Sequence, residues 1–233
     1  MHASLIMSIL AGACTAVGAV LLFSKRNWSD RSLAFYLGLA SGVMVAVVVF
    51  DMMPSALLYS GWLQALVGFG LGLLVLRGIK AKAYSSRRDG LISLGYLIML
   101  GIALHDLPEG MAIALGSEMK ARTGLVIAMA IGIHNIPEGM AIAAPLLMGG
   151  MSRLSILTKT LLIGVITPLG TMVGFLALAV LPQFLPLLLG LASGIMIYLV
   201  YSQLWPEAYR RDKNARWWGF WLGMMIILLA TFI

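Results

Sequence analysis

His105-Asp106-Leu107-Pro108-Glu109-Gly110-Met111-Ala112-Ile113-Ala114 recurs 29 residues later as His134-Asn135-Ile136-Pro137-Glu138-Gly139-Met140-Ala141-Ile142-Ala143, with eight of ten positions identical. Both copies lie inside long apolar segments, where a histidine or a carboxylate is costly unless it faces a cavity, a partner or an ion. On a helix, His at i and Glu at i+4 stand about 40° apart on one face. Two such helices offer two metal-ligand half-sites to a common space. The prolines add to this expectation. Pro108 and Pro137 lack an N–H, so the carbonyls of Leu104 and Ile133 lose their helical partners and the turn opens. In lipid, such carbonyls must be satisfied by protein, water or an ion. Gly110 and Gly139 follow each break and remove the bulk that would hold two helices apart.

The surroundings of this stretch are those of a membrane protein. Of 233 residues, 61% are hydrophobic and 11% charged, and the mean hydropathy is +0.99. Ordinary soluble domains are far more polar. Apolar runs of the roughly 20 residues needed to cross a bilayer fall near 5–23, 33–53, 56–76, 91–115, 125–148, 154–181, 185–205 and 217–233. The expectation is an all-α integral membrane protein, a single transporter-like domain of eight transmembrane helices over residues 1–233. No basic residue precedes the first run and Lys25 and Arg26 follow it, the reverse of a signal peptide, so it reads as a retained span. The single cysteine, Cys14, can form no intramolecular disulfide and reads as packing.

The net charge of +7 reflects topology rather than nucleic-acid binding. Counted by loop, 14 of the 16 Lys and Arg fall on one side: Lys25, Arg26 and Arg31; Arg77, Lys80, Lys82, Arg87 and Arg88; Arg153 and Lys159; and Arg210, Arg211, Lys213 and Arg216. Only Lys120 and Arg122 fall on the other. Basic loops stay in the cytoplasm, which places both termini outside a cell (inner or plasma) membrane that the chain crosses many times. Trp205, Trp217, Trp218 and Trp221 read as an interfacial belt at the last cytoplasmic boundary.

A second repeat is more distant. Leu39-Ala40-Ser41-Gly42, Met44 and Pro54 recur 152 residues later as Leu191-Ala192-Ser193-Gly194, Met196 and Pro206. The same offset carries Gly12, Thr15 and Gly18 onto Gly164, Thr167 and Gly170. In the topology above the related spans run in opposite directions, so these are inverted repeats, as in secondary transporters.

The chemistry of the doubled stretch is that of a cation site. Two imidazoles (His105, His134), three carboxylates (Asp106, Glu109, Glu138) and the amide of Asn135 would surround one midplane cavity. Nitrogen and oxygen donors without thiolate suit Zn²⁺, Fe²⁺, Mn²⁺ or Co²⁺; an all-oxygen set would suggest Mg²⁺ or Ca²⁺. Intramembrane acids and histidines also build proton or sodium relays, and a buried structural network would use the same residues. A membrane-embedded metal-dependent hydrolase is the enzymatic alternative. The chain has neither His-Glu-x-x-His nor Gly-x-Ser-x-Gly, and no spare general base adjoins the cluster, so it reads as a non-enzyme. Additional metal or pathway candidates are Met44, Asp51 near the outer end of the second span, Gln203, and Glu207 near the inner end of the seventh.

The doubled His-x-x-Pro-Glu-Gly resembles the ZIP (Zrt/Irt-like) family of divalent metal transporters, nearest its bacterial GufA-like branch, over essentially the whole chain. The resemblance implies a three-two-three arrangement of spans, a homodimer, and movement of metal into the cytoplasm. It implies zinc as the commonest cargo, with iron, manganese, cobalt or cadmium as alternatives, and no cofactor. By position it assigns a primary site to His105, Glu109, His134 and Glu138, with Asp106 and Asn135 completing an adjoining one and Met44 where some members place a ligand. The chain departs from the family at Thr167, where many members have glutamate. It departs also at Ser55, Ser202 and Gln203, where acids are common, and at Asp106, where asparagine is usual.

Overall fold

The structure, a computed structural model, describes residues 2–58, 61–84 and 90–232. Arg87 and Arg88 of the basic loop, and Ile233 of the last apolar run, lie outside the described residues. Within them the chain is helical throughout: α1 His2–Phe23, α2 Asp30–Leu57, α3 Trp62–Tyr84, α4 Leu91–Met119, α5 Ala121–Met148, α6 Arg153–Leu176, α7 Pro182–Arg211 and α8 Lys213–Phe232. Six of these, α1, α2 and α4 to α7, are long and apolar enough to cross a membrane, and α3 carries a shorter apolar stretch, Trp62–Gly78. Large apolar side chains cover the outside, among them Leu10, Leu63, Leu74, Leu162, Leu176 and Leu229. Water would not tolerate so continuous an apolar surface, whereas hydrocarbon favours it. The protein is a multi-pass α-helical membrane protein.

Short polar caps set the helix starts. The Ser29 hydroxyl accepts from the Ser32 N–H, the Ser152 hydroxyl from the Ser155 N–H, and the Asp212 carboxylate from the Ala215 N–H. A single extended residue, Lys120, separates α4 from α5, so the two motif-bearing helices are forced to run antiparallel.

Two boundaries differ from the sequence expectation. The third apolar run opens at Ala56 by composition, yet residues up to Leu57 belong to α2 and α3 opens at Trp62. Pro54 does not end α2 because a π turn, Val48–Met52, precedes it, with the Met53 N–H bonding the Val48 carbonyl. The wider turn draws backbone carbonyls away from the proline ring and lets the helix continue. The sixth run stops short, at Leu176, before a turn over residues 177–180.

The inverted repeat reappears in this geometry. A second π turn, Val200–Leu204, lies 152 residues after the first and just ahead of Pro206, with the Trp205 N–H bonding the Val200 carbonyl. α2 packs along α8 as α7 packs along α3, and α1 along α5 as α6 along α4. The crossing of α1 and α6 lies at Gly12 and Gly164, each facing the other's backbone, which places the pseudo-two-fold axis between them. One belt residue departs from expectation. Trp205 packs edge-on to Trp217 at 4.9 Å and holds the buried Arg216 guanidinium 3.9 Å from its ring centre, whereas Trp218 and Trp221 remain exposed on the outside. The cation finds a low-energy place against aromatic faces once α7 and α8 bring them together.

Candidate metal centre

α4 and α5 present the doubled motif toward each other, and α1 and α6 clamp them from outside. Gly139 of α5 lies against the Thr15 carbonyl of α1, and Gly110 of α4 against the Thr167 carbonyl of α6; a Cβ at either glycine would collide with that backbone. Thr171 reinforces the second contact, its hydroxyl donating to the Gly110 carbonyl at 3.0 Å. These contacts seat the two helices so that His105, Asp106, Glu109, His134 and Glu138 lie together; they and Asn135 are none more than 4% exposed.

The pairing runs crosswise. His105 Nε2 lies 3.3 Å from Glu138 Oε1 of the other helix and 3.5 Å from Asp106 Oδ1, and His134 Nε2 lies 3.1 Å from Glu109 Oε2. His105 Nδ1 lies 3.0 Å from the Gly101 carbonyl, which can only accept, so Nδ1 carries a proton and Nε2 is the nitrogen that faces the carboxylates and would ligate a metal. A backbone carbonyl behind one imidazole nitrogen is a common way to orient the other toward a metal. The Asn135 amide donates to the Ala11 carbonyl of α1 at 3.0 Å, which leaves its buried Oδ1 as an acceptor without a partner among the described residues.

The result is a concentration of unmatched acceptors. His105 Nε2, both oxygens of Asp106 and of Glu138, Glu109 Oε1 and Asn135 Oδ1 are buried without a hydrogen-bond partner among the described residues. One donor atom each from His105, Asp106 and Glu109 lies within 4.8 Å of the others. Lone pairs so directed repel one another in a low dielectric and call for a cation among them. The donor set, imidazole nitrogen with carboxylate and amide oxygen, fits a borderline divalent ion.

A cavity of ≈ 270 Å³ leads to this cluster from the end where α4 and α5 join. Asp51, Met52 and Ser55 of α2, Gly116 of α4, and Thr123 and Ile127 of α5 line its outer part; Glu109 and His134 lie at its base. The Ser55 hydroxyl donates to Asp51 Oδ1 at 3.5 Å. Asp51 thus shares a cavity with two of the motif residues, although 58 positions separate it from Glu109 in sequence. Met44 is fully buried in the apolar core and does not line this cavity. Gln203 sits in the second π turn, its amide donating to the Ser202 hydroxyl at 3.4 Å. Glu207 is held by Arg210 at 2.8 Å and Arg211 at 2.9 Å, and Arg211 also pairs with Asp30.

Two residues flanking the site are not among the sequence candidates for it. Thr15 and Thr167 are fully buried, and their hydroxyls also lack partners among the described residues. Their signal is present in the 152-residue repeat, which relates one to the other, but only packing places them against Gly139 and Gly110.

Comparison with known proteins agrees with this geometry. A family model described as ZIP Zinc transporter matches residues 77–231. The zinc transporter ZupT of Escherichia fergusonii is 30% identical over 251 residues, covering 100% of this chain and 97% of its own length. That of Enterobacter sp. (strain 638) is 31% identical over 248 residues, covering 99% and 96%. The doubled motif, the inverted helical pairs and these full-length similarities have one common account: the chain belongs to the ZIP zinc transporter family.

Proposed function

We propose that this protein moves divalent transition-metal cations, zinc foremost, into the cytoplasm by alternating access through the crosswise cluster on α4 and α5. The observation that carries this reading is the set of buried, unpartnered side-chain atoms on His105, Asp106, Glu109, Asn135 and Glu138, carried by the paired proline-bearing helices α4 and α5. His105, Glu109, His134 and Glu138 form the primary site, with Asp106 and Asn135 beside it. Cadmium, iron, manganese and cobalt share the coordination preferences that admit zinc here.

All eight helices cross the bilayer in this proposal, with both termini outside. The bias of basic residues then puts Lys120, and with it the mouth of the 270 Å³ cavity, on the outer face. Asp51 supplies negative charge to that mouth. The repeat carries Asp51 onto Gln203 and Ser55 onto Glu207, so the cytoplasmic counterpart has a neutral amide and a carboxylate already matched by two arginines. An ion is drawn in on the acidic side and held weakly on the other. The carrier works as a homodimer, as the family resemblance implies.

The test is purified protein in liposomes loaded with a fluorescent metal indicator, challenged with Zn²⁺, Cd²⁺, Fe²⁺, Mn²⁺, Co²⁺ and Mg²⁺. Protein-dependent influx of zinc, with magnesium excluded, supports the proposal; no influx of any transition ion defeats it. In the same assay Asp51→Asn should raise the zinc concentration for half-maximal influx by roughly tenfold at low salt, with the maximal rate little changed. Because this contribution is a screened Coulomb attraction, the difference should shrink as ionic strength rises. Equal curves for the two proteins at low salt would remove Asp51 from the path.

A further inference from the structure

The end of the molecule opposite the metal-site cavity carries a second built feature. A cavity of ≈ 490 Å³ lies between the α1–α2 connection and the start of α8, lined by Lys25, Ser29, Arg31, Ser32, Tyr36 and Trp218 among others. Of the two carboxylates nearby, Asp30 pairs with Arg211 and Asp212 accepts from the Ala215 N–H at the start of α8. Among the described residues neither Lys25 nor Arg31 meets a carboxylate, and Lys25 lies 5.7 Å from the Trp28 ring centre, so two positive charges without a counter-charge stand at the cavity wall. Ser29 and Ser32 share one hydrogen bond at 3.0 Å, which uses one hydroxyl proton of the pair and leaves the other to donate.

The opposite wall is aromatic and leads onto apolar surface. From Trp218, 72% exposed, an outward stripe continues down α8 through Leu222, Met225 and Leu229, at helical spacings of four, three and four residues. Eleven residues of helix rise about 16 Å, close to half of the roughly 30 Å hydrocarbon core. A cationic, hydroxyl-bearing pocket at the end of such a stripe has the polarity of an amphiphile: a phosphate at one end and an acyl chain at the other.

Helix packing does not demand these charges. The repeat carries Lys25, Ser29, Arg31 and Ser32 onto Ala177, Leu181, Gln183 and Phe184, which lack any cation, although the two halves are otherwise built alike. We propose that this cavity binds the headgroup of an anionic glycerophospholipid, with Lys25 and Arg31 on the phosphate, a serine hydroxyl donating to it, and an acyl chain along Trp218, Leu222, Met225 and Leu229. Basic pockets between helices at the cytoplasmic surface suit such headgroups. The site is independent of the metal-transport reading.

Native mass spectrometry of the full-length protein, released from bilayers of equal phosphatidylglycerol and phosphatidylcholine, tests it. Wild type should retain phosphatidylglycerol over phosphatidylcholine on the order of tenfold. The Lys25→Gln/Arg31→Gln double variant should lose that preference, while Arg153→Gln, which removes a cation elsewhere, keeps it. Brominated phosphatidylglycerol should quench wild-type tryptophan fluorescence more than brominated phosphatidylcholine, and Trp218→Phe should abolish the excess; this arm needs no charge variant to fold. Equal retention of the two lipids by wild type, or undiminished preference in the double variant, overturns the proposal. So does displacement of the retained lipid by millimolar inorganic phosphate, which would make the pocket a free-anion site.

Discussion

Alanine at position 138 should reduce zinc influx in liposomes by at least about 10²-fold while leaving a folded, monodisperse protein. The reason is the position of Glu138 within the crosswise cluster: both of its oxygens are buried without partners, and one lies 3.3 Å from His105 Nε2. Its loss removes a charged donor and also the group that faces the His105 lone pair. Disturbing residues that merely orient ligands already costs roughly 10 to 100-fold in metal affinity, so removing a direct donor should cost more. The fold should survive the change, since α4 and α5 are seated against α6 and α1 through Gly110 and Gly139 and not through this carboxylate. Equilibrium zinc binding and circular dichroism on the same preparation separate loss of the site from loss of the fold. Wild-type flux in Glu138→Ala would refute the assignment.

Gly12→Ala and Gly164→Ala should each destabilise the protein by about 1–3 kcal/mol, lowering its melting temperature in detergent by roughly 2–12 °C. At both positions a Cβ would run into the backbone carbonyl of the opposite glycine, and backbone cannot turn aside as a side chain can. The control is Gly70→Ala on α3, where a Cβ meets no protein atom and the better helix propensity should leave stability unchanged or improved. The two substitutions should also be less than additive, because once one methyl has spread α1 from α6 the second finds room. A melting temperature unmoved by Gly12→Ala would mean that α1 and α6 do not cross there, and the pseudo-two-fold axis would lie elsewhere.

The kinds of residue that resist sequence reading share a physical feature. Thr15 and Thr167 are ordinary helix residues by composition, and their importance comes from a backbone carbonyl pressed on a glycine more than 50 positions away. Glu207, a pathway candidate by sequence, is held by Arg210 and Arg211 of its own helix. The threonines depend on neighbours that no local pattern contains, whereas Arg210 and Arg211 stand at i+3 and i+4 from Glu207 and could have been paired with it from the sequence. The doubled motif is legible for the opposite reason: burying histidine and glutamate in an apolar segment is expensive enough that their mere presence signals a site.

Covalent order and transfer energy account for everything about this protein that can be read along the chain. The apolar runs settle that it lives in a membrane, the i and i+4 spacing puts His and Glu on one helix face, and the 152-residue repeat relates the two halves. Folding in three dimensions adds that each imidazole faces the carboxylate of the other helix, that Asn135 spends its donor on Ala11, and that Asp51 reaches the same cavity as Glu109. Those outcomes depend on how α6 and α1 seat α4 and α5: Gly110 and Gly139 do not open the space between the two motif helices, as the sequence suggests, but admit the backbone carbonyls of α6 and α1. A close contact of that kind is a property of two helices together and is written in neither one alone.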